Sequence, residues 1–307
     1  MLECVIMNKV KDYIIKNRIT IILVIIIILL VVSNLFFIKF AFDTIVLTLI
    51  VLAIILKKQK EFFKDWTIPV ILFYLYEFLR GRGYIIAEFL HRPLVNKLLI
   101  DVETKLFGIN GDIPTVALQY AMSNPLAVVF IPHWYDYVLF LFYTSFFWFW
   151  LVIGFILWFK AKKMFKQYMY GLVGFSLFDT LIYILFPSAP PWYASQVGLL
   201  PVLNRVMWSY DFLSSKYASL VSTYGNNDFA AWPSHHAAWP FFASLFVVRL
   251  YGKKAFPIFL VPLIIAFATW YGAEHYVIDS LAGFLIAFIT YILVTGDWKK
   301  IVKKKKQ

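Results

Sequence analysis

Cysteine is all but absent. Cys4 stands alone in a chain of 307 residues, which excludes an internal disulfide framework. Charge is scarce as well, at 15% of residues against 62% hydrophobic and 20% aromatic. Soluble domains hold about 45–50% apolar residues, and no stretch here has the composition of a separate soluble domain. Acids are fewer than bases, 17 against 29, for a net charge of +12. Histidine occurs only five times.

What fills the chain is apolar sequence. Several runs approach the roughly 20 residues needed to cross a bilayer. Eight hydrophobic segments are expected, at about 20–39, 41–56, 67–80, 135–159, 168–186, 237–250, 255–273 and 276–294. The first is too long for a signal-peptide core, and no small-residue cleavage site follows it, so a retained span is expected there. The expected class is an all-α integral membrane protein with about eight transmembrane helices.

The basic residues report topology. Lys9, Lys11, Lys16 and Arg18 precede the first segment. Lys57, Lys58, Lys60 and Lys64 follow the second. Lys160, Lys162, Lys163 and Lys166 separate the fourth from the fifth, and Arg249, Lys253 and Lys254 the sixth from the seventh. Lys299, Lys300 and Lys303 to Lys306 close the chain. If every segment crosses, all of these lie on one side, which the positive-inside rule makes the cytoplasm. The basic excess therefore reads as a topology signal, aided by anionic lipid, and not as nucleic-acid binding. The expectation is a multi-pass protein of the cell membrane with both termini cytoplasmic. Two long connections, about 81–134 and 187–236, fall on the opposite side. All five histidines lie there or at the outer ends of spans: His91, His133, His235, His236 and His275.

"WPSHHAAWPFF" (232–242) and "EHYVID" (274–279) carry the chemistry. At the start of a helix, His275 and Asp279 share a face and can hydrogen-bond. His236 lies two crossings earlier, so the three groups can meet at the outer surface. That arrangement suits nucleophilic catalysis by an imidazole that a carboxylate orients, with a second histidine as general acid. Other readings stay open at this point. Ser234 is a good N-cap, His275 and Asp279 suit a structural pair, and His, His and Asp are good zinc ligands.

P-S-x-His, then two spans, then His-x3-Asp resembles the type 2 phosphatidic acid phosphatase superfamily. "EHYVID", together with "FPSAPPW" (186–192), "HWYDY" (133–137) and "LFG" (106–108), resembles its inositol phosphorylceramide synthase and sphingomyelin synthase branch. The resemblance covers about residues 67–294. It implies metal-independent phosphoryl or phosphodiester transfer through a phosphohistidine, with no cofactor. His275 would be the nucleophile, Asp279 its orienter and His236 the acid. It further implies a six-helix core over 67–294, an N-terminal cytoplasmic segment and two-helix hairpin over 1–66, and a basic cytoplasmic tail over 295–307.

Two departures stand out. The hydrolases carry Ser-Arg where this chain has Ala268 and Thr269, and Arg-Pro where its nearest counterpart is Ala189-Pro190. Both phosphate clamps of the hydrolases are thus missing. A phosphomonoester carries about −1.5 to −2 at neutral pH, and a diester carries about one charge fewer. The losses therefore favour a lipid phosphotransferase over a lipid phosphate or polyprenyl pyrophosphate phosphatase. A lipid transporter or scramblase is the non-enzymatic alternative. Phosphate binding is expected from Arg80 and Arg82 of "LRGRGY" (79–84), with Ser234 and His235. A polyol headgroup is expected at His133 and Asp136. Asp179, deep in its span, is expected to make a structural hydrogen bond. Residues 199–222 read as an amphipathic lid on the membrane surface or as part of the loop core. The expected partners are phospholipid or other lipid-phosphate substrates and the bilayer itself.

Overall fold

A computed structural model describes residues 42–127, 130–208 and 227–297. The expected first span, the tail from 298 and most of the expected lid lie outside the described residues. The chain forms two compact units, Met1–Thr67 and Ile68–Gln307. The described part is helical, with no strand among the described residues and only two isolated bridges, Ile109 to Asp112 and Ser188 to Ala230.

The helices are α1 (Phe42–Ile55), α2 (Gln59–Phe89), α3 (Asn96–Phe107), α4 (Pro114–Met122), α5 (Trp134–Lys160) and α6 (Lys162–Leu185). They continue with α7 (Pro191–Gln196), α8 (His235–Tyr251), α9 (Leu260–Tyr271) and α10 (Val277–Thr295). Four helical stretches among the described residues are long and apolar enough to cross a membrane: Trp134–Lys160, Lys162–Leu185, Lys253–Tyr271 and Val277–Thr295. The remaining expected segments are helical but differ in extent. The stretch 41–56 is α1, of 14 residues, and 237–250 is α8, of 17 residues. The stretch 67–80 is the middle of α2, a 31-residue helix with charged ends.

Local chemistry sets the ends. The Asp136 carboxylate accepts the N–H of His133 at 2.6 Å and closes the first turn of α5. Pro187 stops α6, because proline disfavours helical geometry in the residue before it. Ser234 caps α8 by accepting the Ala237 N–H. Gly296, with φ of 76°, ends α10 in the left-handed conformation that glycine adopts freely.

α8 is the central helix of the second unit, with α5, α6, α9 and α10 packed around it. Its Ala237, Ala238, Phe242, Ala243 and Phe246 are fully buried. Lipid is as apolar as these side chains, so helix association rests on close packing and interhelical hydrogen bonds. Both are present. Trp239 stacks on Phe146 at 5.2 Å and donates to Ser176 at 3.0 Å. Tyr168 donates to the Trp150 carbonyl at 2.8 Å, and Tyr183 to the Pro233 carbonyl at 2.8 Å. α10 and the turn before α8 approach closely: a Cβ at Gly283 would lie 2.4 Å from the Ser234 carbonyl oxygen. The Ser234 N–H also donates to the Asp279 carbonyl at 3.0 Å. "PSHH" and "EHYVID" are therefore joined backbone to backbone.

"FPSAPPW" bridges the same two segments. Ser188 takes the Trp232 N–H on its hydroxyl at 2.9 Å and the Ala231 N–H on its carbonyl at 3.0 Å. The Trp192 N–H donates to the Ala273 carbonyl at 3.1 Å. The described part of the expected lid, 199–208, is divided: Leu199 and Val202 are exposed, while Val206 and Met207 are fully buried beside Leu139, Tyr143, Ala268 and Tyr271.

Candidate active site

His236, His275 and Asp279 stand in line. Asp279 Oδ2 is 3.3 Å from His275 Nδ1, and His275 Nε2 is 2.9 Å from His236 Nδ1. A carboxylate only accepts, so His275 Nδ1 carries its proton toward Asp279. The His275 Nε2 lone pair then accepts the proton on His236 Nδ1. The two rings thus meet directly, and a reacting phosphate would replace this hydrogen bond, taking the His275 nitrogen on phosphorus and the His236 N–H on its leaving oxygen. His275 and Asp279 are buried. His236 is half-buried, stacked on Tyr143 at 5.1 Å and tilted against Phe146 at 4.3 Å. Tyr143 is itself fixed by the Trp208 indole N–H at 2.9 Å.

The turn before His275 is tight. The Thr269 carbonyl accepts the N–H groups of both Glu274 and His275, and Ala273 has φ of 61°. The hydroxyl of Thr269, where the hydrolases have arginine, bonds back to the Ala266 carbonyl at 2.7 Å. A cation reaches the site by another route. Arg205 donates from Nε and one Nη to the two oxygens of Glu274, at 2.7 and 3.1 Å, beside His275. Its guanidinium lies over Trp192 at 4.4 Å and near Trp208 at 5.3 Å. Burial opposes its charge, but Glu274 outweighs burial and holds the arginine pKa above its ordinary value. Burial pushes the carboxyl of neighbouring Asp228 up, with Arg205 pulling it back.

The other expected site residues take separate places. His235 was expected on phosphate, but its Nδ1 meets Tyr76 Oη and its Nε2 meets Asp179 Oδ2, both at 2.8 Å. Successive helix residues project about 100° apart, so His235 points into the bundle while His236 points to His275. Asp179 makes the kind of hydrogen bond expected of it. Ser234 is buried, with its hydroxyl on the α8 cap. Arg80 is paired with Glu77 at 2.8 Å. Arg82 is exposed, 3.9 Å over the Phe78 ring. His133 is exposed at the start of α5, while Asp136 is fully buried in the helix cap. Among the described residues, no group of three or more His, Cys, Asp or Glu side chains is arranged to hold a metal ion.

Sequence reading missed Arg205, Glu274 and Glu103. Glu274 had a signal: a buried-side acid next to His275 needs a cation, and the 187–236 connection holds only Arg205 and Lys216. Glu103, fully buried in α3, accepts the N–H groups of Val277 at 2.7 Å and Ile278 at 3.0 Å, at the first turn of α10.

Comparison with known proteins places the chain in a family. The family model described as PAP2 superfamily matches residues 112–293, more than half of the chain. The inositol phosphorylceramide synthase catalytic subunit of Schizosaccharomyces pombe is 30% identical over 124 residues, 38% of this chain and 29% of that protein. The phosphoinositol dihydroceramide synthase of Bacteroides thetaiotaomicron is 28% identical over 225 residues, 66% of this chain and 68% of that protein. The inositol phosphorylceramide synthase catalytic subunit of Saccharomyces cerevisiae is 27% identical over 214 residues, 65% of this chain and 49% of that protein. The chain thus spans about a third to two thirds of the length of these relatives. No solved structure matches it.

Proposed function

Because the chain belongs to the PAP2 superfamily, we propose that it is a membrane-embedded lipid phosphotransferase. It moves a phosphoinositol-type headgroup from a phospholipid to a ceramide-type acceptor through a phosphohistidine at the extracytoplasmic face. The observation that carries this reading is the line His236–His275–Asp279. His275 Nε2 attacks phosphorus while the P–O bond to the diacylglycerol breaks. His236, charged as the imidazolium, protonates the departing oxygen and is left neutral, and Asp279 steadies the positive charge that forms on His275. The headgroup phosphate is then a diester-like adduct on His275. His236, now a base, takes the proton from the acceptor hydroxyl. The acceptor oxygen attacks phosphorus, the N–P bond breaks, and the product lipid leaves.

Charge supports a diester over a monoester. The Arg205 charge is offset by Glu274, which takes one N–H each from Nε and one Nη and leaves the second Nη for a phosphate oxygen. That suits one negative charge better than two. Glu274 keeps the arginine's planar fork in a fixed orientation. The topology that goes with this reading has eight crossings, six of them around the active site. His235 and Gly83 would then face outward and Lys163 the cytoplasm.

The test is transfer by purified protein. Phospholipid labelled in the headgroup phosphate is incubated with and without a long-chain acceptor alcohol, with and without a chelator. The proposed function predicts label in a new lipid, dependent on acceptor and unchanged by chelator. Label appearing only as water-soluble headgroup phosphate makes the protein a phosphodiesterase, and release of free phosphate only from a labelled lipid phosphomonoester makes it a phosphatase. Loss of label transfer in chelator, restored by a cation, makes the histidines metal ligands. Movement of intact lipid with no bond broken makes it a transporter.

A further inference from the structure

α10 carries Asp279 in its first turn, yet its N-cap is Tyr276, whose side chain makes no capping hydrogen bond. The first N–H groups of any helix lack intrahelical partners. Here carboxylates meet three of them. Asp279 Oδ2 takes the Tyr276 N–H at 2.9 Å, and Glu103 Oε1 and Oε2 take those of Val277 and Ile278. Glu103 comes from α3, 174 residues earlier in the chain, and is fully buried there. Its charge also lies at the positive end of the helix dipole.

α3 is anchored at its N-terminal end. The Asn96 side chain accepts the Ala189 N–H at 2.7 Å, and the Val95 N–H donates to the Pro187 carbonyl at 3.0 Å. Leu99, Ile113, Val116 and Tyr276 pack together between α3, α4 and the start of α10.

We propose that Glu103 is a positioning residue for the transfer reaction, holding the first turn of α10 so that Asp279 stays on His275. The reason is a competition for acceptors. Asp279 Oδ2 already serves both the Tyr276 N–H and His275 Nδ1, while its Oδ1 is buried with no partner among the described residues. Without Glu103, the Val277 and Ile278 N–H groups are buried donors in want of an acceptor. Asp279, at the third position of the same turn, is the nearest carboxylate left to them, and only by rotating could its unpartnered Oδ1 reach them. Capping them draws the carboxylate off His275, and the imidazole loses its orienter.

The kinetic readout rests on the proposed histidine chemistry, so the test has a second arm that does not. Full-length Glu103→Ala and Glu103→Gln are purified in detergent beside the wild type, Asp279→Asn and the Glu103→Ala/Asp279→Asn double variant. Glu103→Gln keeps size and one acceptor oxygen, and serves if the alanine variant does not fold. The expected result is a fall in kcat of about 10- to 100-fold for Glu103→Ala, a smaller fall for Glu103→Gln, and KM unchanged within about threefold. In the Asp279→Asn background, loss of Glu103 should cost at most about a further twofold, because both changes remove the same orientation. Amide exchange at Val277 and Ile278 should be faster in both single variants. Additive losses in the double variant, or a wild-type kcat in Glu103→Ala, overturn the proposal. If the wild type transfers nothing, the proposed function fails and the inference is read on exchange alone, where unchanged protection at 277 and 278 overturns it.

Discussion

Replacing Gly283 with alanine drives a methyl group at the carbonyl of Ser234. The added Cβ would lie 2.4 Å from that oxygen and 3.4 Å from Ala238 Cβ. Real Cβ contacts do not fall under 3.0 Å, so α10 and the turn before α8 must separate by at least about 0.6 Å. Both partners are main chain, and no rotamer change relieves the contact. Ser234 also donates to the Asp279 carbonyl, so the separation opens between the turn that carries His236 and the helix that carries Asp279. Overpacking of this kind destabilises by about 1–3 kcal/mol. A misplacement near 1 Å lowers turnover about 100-fold. Gly283→Ala should therefore lower kcat by about 10- to 100-fold and lower the thermal midpoint in detergent. Gly174→Ala in α6 is the control, since nothing lies within 4 Å of its added methyl; it should leave kcat unchanged and stabilise slightly. Gly283→Ala with wild-type kcat would refute the argument that this close approach sets the site.

If His236 is the acid, His236→Ala should lose about 10²–10⁴-fold on lipid substrates and far less on a nitrophenyl phosphodiester, whose leaving group needs no proton. Equal losses across a leaving-group series would remove His236 from that role. Arg205→Lys keeps charge but not the planar fork. It should lower kcat/KM by about 10- to 100-fold, the equivalent of about 1.5–3 kcal/mol for a hydrogen bond to a charged group. Burial raises the Glu103 carboxyl to about 7, against the pull of the Ile278 and Val277 N–H bonds and with a push from Asp279. The folded state therefore binds its proton more tightly than the unfolded chain does. Glu103's contribution to stability is complete below about pH 4.5 and declines as pH rises to about 7. Melting in detergent across that window should show a downward slope that Glu103→Gln flattens.

The helical class and the pairing of "PSHH" with "EHYVID" were legible because period and topology carry them: apolar runs mark helices, and one helix out and one back return His275 to His236. Adjacent histidines were harder to separate. Sequence gives His235 and His236 the same neighbourhood, and only the 100° step around α8 sends one to Asp179 and the other to His275. Arg205 and Glu103 were out of reach because their partners lie 69 and 174 residues away, across loop packing that no period encodes. Arg80 and Arg82 looked like the better cations because "LRGRGY" is locally suggestive, but one is paired with Glu77 and the other lies on Phe78. The extent of α2 was underestimated for a related reason. Its charged ends break the apolar pattern while the helix continues through both.

The central claim is a covalent bond between His275 and the headgroup phosphorus. Purified protein is mixed with phospholipid carrying label in the phosphate and a second label in the headgroup carbons, without acceptor, and quenched in base on the millisecond scale. Proteolysis and mass spectrometry then locate the adduct. The proposed mechanism predicts both labels, in equal amounts, on the peptide containing His275, and their loss when the acceptor lipid is added. It predicts no adduct in His275→Ala. Both labels on His236 instead, or turnover to product lipid with no adduct at any time point, would contradict it.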